Sequence, residues 1–231
     1  MSENTKNRSA GRLSLRILQV FLFAAFLTSI YFWSAGSYRL VWGWLFLAVY
    51  FAFNLSMVIF AGENLIKERS KQHKDSMPWD RYLSLIPILS LLGILIVSGL
   101  DVRHHWTPDL PLWLRILAAI FLIGSMAVNT WAVKTNRFYS STVRIQTERG
   151  HQVIDSGPYA IIRHPTYAMA HIIHIGLSLM LGSYWALVPT LVGSIGLIVR
   201  TALEDKTLQS KLTGYAEYSQ RVRYRMIPGI W

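Results

Sequence analysis

Gly157-Pro158-Tyr159-Ala160-Ile161-Ile162-Arg163-His164-Pro165-Thr166-Tyr167 opens an apolar run that continues to Leu203 and is interrupted by Gly182-Ser183-Tyr184-Trp185. Proline favours the first position of a helix, so the spacing predicts a helix beginning at Pro165. The glycine-containing break then folds the run into a hairpin of two helices, the first of them short. A cation, an imidazole and two phenols therefore stand at the mouth of an apolar hairpin. Ionisable groups at such a depth are costly and are retained where function needs them.

Working outward, four more runs approach the roughly 20 apolar residues a spanning helix requires: Leu13 to Trp33, Leu40 to Ala61, Leu83 to Leu100 and Leu112 to Val133. The chain of 231 residues is 52% hydrophobic and only 15% charged. Soluble domains carry about 25% charged residues, so the expected fold is all-α, a polytopic membrane bundle of about six transmembrane helices. The first run is too long for a signal-peptide core and reads as a retained helix. Residues 1–134 form the N-terminal four helices, and residues 135–231 a C-terminal region of loop, hairpin and amphipathic tail.

With both termini inside, every one of the 23 lysines and arginines except Arg39, Arg103 and Arg115 falls in an inner segment. This asymmetry follows the positive-inside rule. It accounts for the net charge of +11 by topology and anionic lipid, with no nucleic-acid partner. The chain has no cysteine, hence no thiolate metal site and no thiol nucleophile. Its seven histidines form no metal-binding His-Glu-x-x-His helix, so no metal is expected. No Gly-rich phosphate loop or Gly-x-Gly-x-x-Gly turn is present.

Two polar stretches, Gly62 to Arg81 and Lys134 to Arg163, lie on the inner side. The first reads as an interfacial helix and turn ending Met77-Pro78-Trp79. The second mixes aromatic and β-branched residues with Gly150-His151 and Gly157-Pro158, which reads as an ordered loop, and such loops commonly carry function. His164, Tyr167, His171 and His174 share a helix face by their spacing. His171 and His174 read equally well as polar contacts between helices. Arg200 and Glu204, four residues apart, are spaced to pair along the final helix beside Asp205. The hairpin returns all three toward Arg163 and His164, in a pocket suited to a small molecule bearing both ammonium and carboxylate. Asn54 and Asn129 fall where they would line a route from the bilayer. Leu208 to Arg225 reads as a basic amphipathic helix at the membrane surface.

Arg163-His164-Pro165-Thr166-Tyr167, the hairpin, and Glu204-Asp205 together resemble the signature of the membrane methyltransferases related to isoprenylcysteine carboxyl methyltransferase and the phospholipid N-methyltransferases. His151 and Gly157-Pro158-Tyr159 are similar to the family's approach to that motif. Gly214-Tyr215, Tyr218 and Arg221-Val222-Arg223-Tyr224-Arg225 resemble the tail of its bacterial branch. The resemblance covers roughly residues 135 to 231, with Asp205 one methylene shorter than the family's second acid. It implies S-adenosylmethionine in a cytoplasmic pocket of an inner-membrane protein, with contacts from His151, Tyr159, Arg163, His164, Pro165, Tyr167, Arg200, Glu204 and Asp205. Glu204 is implied as partner of the ammonium, and Arg163 or His164 of the carboxylate. Arg163 and His164 are also implied as the catalytic pair. The acceptor implied is a lipidic molecule carrying a carboxylate, thiol or amine. NADPH-dependent sterol and steroid reductases share a similar hairpin and Arg-His-Pro motif, though theirs continues Asn-Tyr where this chain has Thr166-Tyr167-Ala168-Met169. A reductase, or a non-catalytic membrane protein, are the alternatives.

Overall fold

The computed structural model describes residues 3–60 and 76–231, with side chains from residue 13 onward. The described residues are helical, joined by loops, with no strand among them. Helix α1 covers Glu3–Ala35 and α2 Val41–Phe60. The one-turn α3 (Asp80–Leu83) runs almost directly into α4 (Ile86–His104), followed by α5 (Leu112–Thr135). The hairpin is α6 (Pro165–Met180) and α7 (Leu187–Lys211), and the tail carries α8 (Tyr215–Arg221).

Among the described residues, five segments are long and apolar enough to cross a membrane: Leu13–Ala35, α2, Asp80–His104, α5 and α7. The sixth expected span, α6, has only 16 residues. At 1.5 Å per residue it reaches about 24 Å, short of a hydrocarbon core of about 30 Å. The expected short first arm is thus an incomplete span that starts at Pro165, as the motif predicts. The interfacial helix expected within Gly62 to Arg81 lies largely outside the described residues.

The core joins Leu27 and Tyr31 of α1, Phe46 of α2, Ile94 and Leu95 of α4, Leu122 and Met126 of α5, and Leu177 and Met180 of α6. Small residues let the backbones approach, as membrane packing favours. A Cβ on Gly176 would lie 3.0 Å from the Ala118 carbonyl of α5, so α6 lies directly against α5. At the end of the bundle away from the Arg163 motif, Asp101 is 1% exposed. It accepts hydrogen bonds from the Thr107 amide and hydroxyl, both at 2.6 Å, and from the Ser183 hydroxyl. That carboxylate sews the α4–α5 loop to the hairpin turn, whose Gly182 has the left-handed φ of +88°.

At the opposite end, residues 76–80, the long loop 136–164 and the tail after α7 meet. The single amphipathic helix expected over Leu208 to Arg225 is instead broken. α7 stops at Lys211, Gly214 turns the chain with φ +82°, and only Tyr215–Arg221 continues as helix. The last residues then double back beside the Arg163 motif.

Candidate active site

The loop 136–154 has almost no regular secondary structure, so its shape comes from side-chain bonds. Asp80, fully buried, accepts from the Val143 amide at 2.7 Å, while the Met77 amide donates to the Val143 carbonyl at 3.0 Å. Gln146, 1% exposed, donates Nε2–H to the Phe138 carbonyl at 2.6 Å. Its own amide donates to His151 Nδ1 at 3.2 Å, and the His151 ring packs on Phe138 at 4.6 Å. These contacts curl the loop over the start of α6 and the end of α7.

The cleft so formed is an open one, with about 790 Å³ of empty space including its solvent-filled mouth. Phe138, Tyr139, Arg144, His151, Tyr159, Arg163, His164, Thr166, Tyr167 and Glu204 line it, and Tyr215 and Tyr218 close its far wall. Six of the nine site residues implied by the sequence therefore converge. Pro165, Arg200 and Asp205 do not line the cleft.

The acidic pair is divided. Glu204 is half-buried, and Tyr167 donates its phenol proton to Glu204 Oε2 at 2.5 Å. Its other oxygen, Oε1, has no partner among the described residues. Asp205, one residue on and about 100° around the helix, is fully buried and gathers the tail. It accepts from Arg163 Nε (2.8 Å) and Nη2 (3.1 Å), Arg225 Nε (2.9 Å), Tyr215 Oη (2.9 Å) and Gln209 Nε2 (2.9 Å). His164 Nε2 lies 3.2 Å from the same carboxylate.

Arg163 is 7% exposed. Besides Asp205, its guanidinium donates to the Val222 and Arg223 carbonyls at 2.8 and 3.0 Å. The Arg163 and His164 amides donate to Tyr224 and Arg225 carbonyls at 3.0 and 2.8 Å. The tail is thus stapled to the Arg-His-Pro motif by both backbone and side chain.

Arg200 does not pair with Glu204. It forks onto Asp80 (Nε–Oδ1 2.7 Å, Nη2–Oδ2 3.2 Å) and also donates to the Ser141 carbonyl at 2.9 Å. Its guanidinium lies 5.4 Å from the Tyr167 ring centroid. Sequence reading missed Asp80. Its only signal was an acid standing at the start of a span among basic residues, just after Pro78-Trp79. A buried Arg–carboxylate fork should couple energetically. The cycle Asp80→Ala, Arg200→Ala and the double variant is expected to show a coupling of about 1–3 kcal/mol in detergent melts. Additive single effects would make the fork incidental.

His151 carries a perturbed pKa, lowered to about 4 by burial and then by the neighbouring Arg144 and Arg149. Because Nδ1 accepts from the Gln146 amide, the neutral ring holds its proton on Nε2. The unfolded imidazole takes up a proton below about 6.5 and the folded one only near 4. Stability from this group therefore falls as pH drops through that window, since the unfolded state binds more protons there. Melting curves from pH 7 to 4 should decline less steeply for His151→Gln than for the wild type. Parallel curves would show that His151 titrates normally. Tyr159 is raised above its ordinary value by burial, so it is a neutral phenol at physiological pH. Its oxygen accepts from Asn136 Nδ2 at 3.3 Å.

Behind the cleft lies a second cavity among the helices, of about 390 Å³. Its walls come from α2, α4, α5, α6 and α7 and include Phe46, Phe53, Leu91, Leu122, Ile173 and Leu177, with Asn54, Asn129, His174 and Arg200 among them. Cleft and chamber share Tyr139, Ser140, Thr166 and Tyr167. The chamber in turn shares Phe53 and Met126 with an almost wholly apolar groove between α2 and α5 that opens on the outside of the bundle. Asn54 and Asn129, expected along a lipid route, both line the chamber.

No cluster of three or more metal-ligating side chains occurs among the described residues. Residues 117–210 match the isoprenylcysteine carboxyl methyltransferase family. A protein-S-isoprenylcysteine O-methyltransferase B of Arabidopsis thaliana is 26% identical over 140 residues, which is 59% of this chain and 66% of the relative. The match thus spans just under two thirds of that relative's length. Over the segment from α5 to the end of α7, which builds both cleft and chamber wall, the chain is isoprenylcysteine carboxyl methyltransferase-like.

Proposed function

We propose that the chain transfers a methyl group from S-adenosylmethionine, held in the cleft, to a lipidic acceptor lying in the chamber. The observation that carries this reading is the shared wall. A polar cleft on the basic end of the bundle meets an apolar membrane chamber at Tyr139, Ser140, Thr166 and Tyr167. A water-soluble methyl donor and a lipid would meet there without either leaving its own medium. The asymmetry of lysine and arginine supports a cytoplasmic position for this end.

The cleft residues fit such a donor. Glu204 Oε1 is available to an ammonium, and His151 Nε2–H to a carboxylate, as charge-assisted hydrogen bonds. Tyr159 and Tyr167 line the same cleft and would offer aromatic surface to a sulfonium. Arg163 and His164 act on this reading by positioning: the Arg163 guanidinium and His164 Nε2 are turned to Asp205 and the tail, and they hold the wall against which the donor would lie. S-adenosylmethionine supplies an electrophilic methyl, so the chain needs only to align acceptor, methyl and sulfur and to exclude water. The name of the Arabidopsis relative favours a carboxylate acceptor; a thiolate would likewise need no base, whereas an amine must first lose a proton.

The reductase reading fares less well against the same cleft. A dinucleotide phosphate needs cations to spare, and the lining arginines already face carboxylates: Arg144 on Glu148 and Arg163 on Asp205, both at 2.8 Å. Calorimetric titration of the detergent-purified protein with S-adenosylhomocysteine and, separately, NADPH tests both readings. Micromolar binding of S-adenosylhomocysteine alone is expected. Binding of NADPH alone would move the chain to the reductases, and binding of neither would make it non-catalytic.

A further inference from the structure

His174 is 7% exposed and lines the chamber, on α6 seven residues beyond Tyr167. At 1.5 Å per residue it lies about 10 Å deeper in the bundle than the wall shared with the cleft. That is too far to act on atoms reacting at that wall.

Ser90 packs beside the His174 ring. Ser90 donates its only proton to the Pro189 carbonyl at 3.0 Å, and its oxygen stands 3.5 Å from His174 Nδ1. A hydroxyl that has donated elsewhere can only accept, which matches the tautomer with the ring proton on Nδ1. Nε2 therefore carries a lone pair, and it has no partner among the described residues. The chamber that His174 lines is walled largely by apolar side chains, among them Phe46, Leu91, Leu122, Ile173 and Leu177. Because Nε2 faces the chamber, a lipid that displaces solvent from it without offering a donor leaves that acceptor unpaired, at a free-energy cost a bound donor avoids. A hydrocarbon or isoprenyl chain filling the chamber would leave it unpaired.

We infer that the chamber takes a lipid carrying a hydrogen-bond donor, a hydroxyl or an amide N–H, partway along its chain, and that His174 Nε2 selects it. The inference rests on the proposed methyltransferase reading for the position of the lipid's head at the shared wall. For a straight chain, about 10 Å from that wall corresponds to a donor roughly eight to ten carbons from the head. Asn54 and Asn129, with side-chain amides in the same chamber, stand on α2 and α5. The contact of Ser56 with Thr130 at 3.2 Å brings these two helices into register, with both asparagines within two residues of it. They belong to the segment nearer the cleft and serve the head, whereas His174 is the polar group of the deeper part.

The test uses the purified protein saturated with S-adenosylhomocysteine. Stearic acid and its 2-, 10- and 18-hydroxy derivatives are compared by the melting shift each produces, converted to affinity. The 10-hydroxy acid is expected to bind about five- to tenfold more tightly than stearic acid, with the 2- and 18-hydroxy isomers close to stearic acid. His174→Leu should abolish that preference, and His174→Gln, which keeps an acceptor, should restore part of it. A residue that only packs would weaken all four acids alike in both variants. Equal binding of the four acids by the wild type would overturn the inference, water then satisfying Nε2, and would leave the methyltransferase reading standing. Failure of S-adenosylhomocysteine to bind the wild type at all would instead overturn that reading and the inference with it.

Discussion

Asp205→Ala is expected to destabilise the protein by about 3–5 kcal/mol, the range for breaking a buried ion pair by removing one partner. The size follows from what is left behind. Arg163, 7% exposed, would face no carboxylate, and the Tyr215 hydroxyl, also buried, would lose its acceptor. Arg225, about a third exposed, would be rehydrated more easily, so Arg225→Ala should cost much less than Asp205→Ala. Arg163→Ala should fall between, because it also strips donors from the carbonyls of residues 222 and 223. The effect should be local before it is global. With the carboxylate gone, the segment after Val222 retains the amide bonds to the Tyr224 and Arg225 carbonyls and the Arg163 bonds to the carbonyls of residues 222 and 223, but loses the ion pair of Arg225 that anchors it. Limited proteolysis should therefore cut the tail of Asp205→Ala at temperatures where the wild type is resistant. A variant that melts with the wild type and keeps its tail protected would show that the carboxylate is not the keystone of this end.

Much of the architecture could be read from hydropathy because the bilayer imposes it. Helix length, the break at Gly182-Ser183-Tyr184-Trp185 and the start at Pro165 all follow from local chemistry, and the structure has them where the residues place them. The charge asymmetry likewise put one set of loops together, and the cleft forms among them. What the residues did not disclose was rotation. Glu204 and Asp205 read as a pair because they are adjacent in sequence, but an angle of about 100° separates them on the helix, and one faces the cleft while the other faces the tail. Which face turns to the cleft is fixed by contacts far along the chain, such as Arg200 on Asp80, 120 residues away. The Arg200–Glu204 pairing suggested by their spacing failed for the same reason: a buried carboxylate from the start of α3 outcompetes one at the edge of the cleft. Loop 136–154 was legible as ordered but not in its shape, since nothing periodic governs a segment held by single hydrogen bonds from Asp80, Gln146 and His151.

Glu204→Gln is expected to weaken S-adenosylhomocysteine binding about 10- to 100-fold, the loss of a hydrogen bond to a charged group, while leaving the ligand-free protein as stable as the wild type. The substitution keeps the shape of the side chain and an oxygen for the Tyr167 hydroxyl, now 2.5 Å from Oε2. What it removes is the negative charge, and the oxygen that gains amide protons can no longer accept from an ammonium. Tyr167→Phe provides the complementary comparison. It keeps the ring that would face a sulfonium and loses only the bond to Glu204, so its effect on affinity should be several-fold smaller. Calorimetry on the two variants beside the wild type separates a charged receptor from a merely polar wall. If Glu204→Gln bound S-adenosylhomocysteine as tightly as the wild type, the ammonium would have to find its partner elsewhere. The fully buried Asp205 could not supply it, because its two oxygens already accept from Arg163, Arg225, Tyr215 and Gln209. Unchanged binding would therefore count against a zwitterionic donor in this cleft altogether, rather than against one residue of its site.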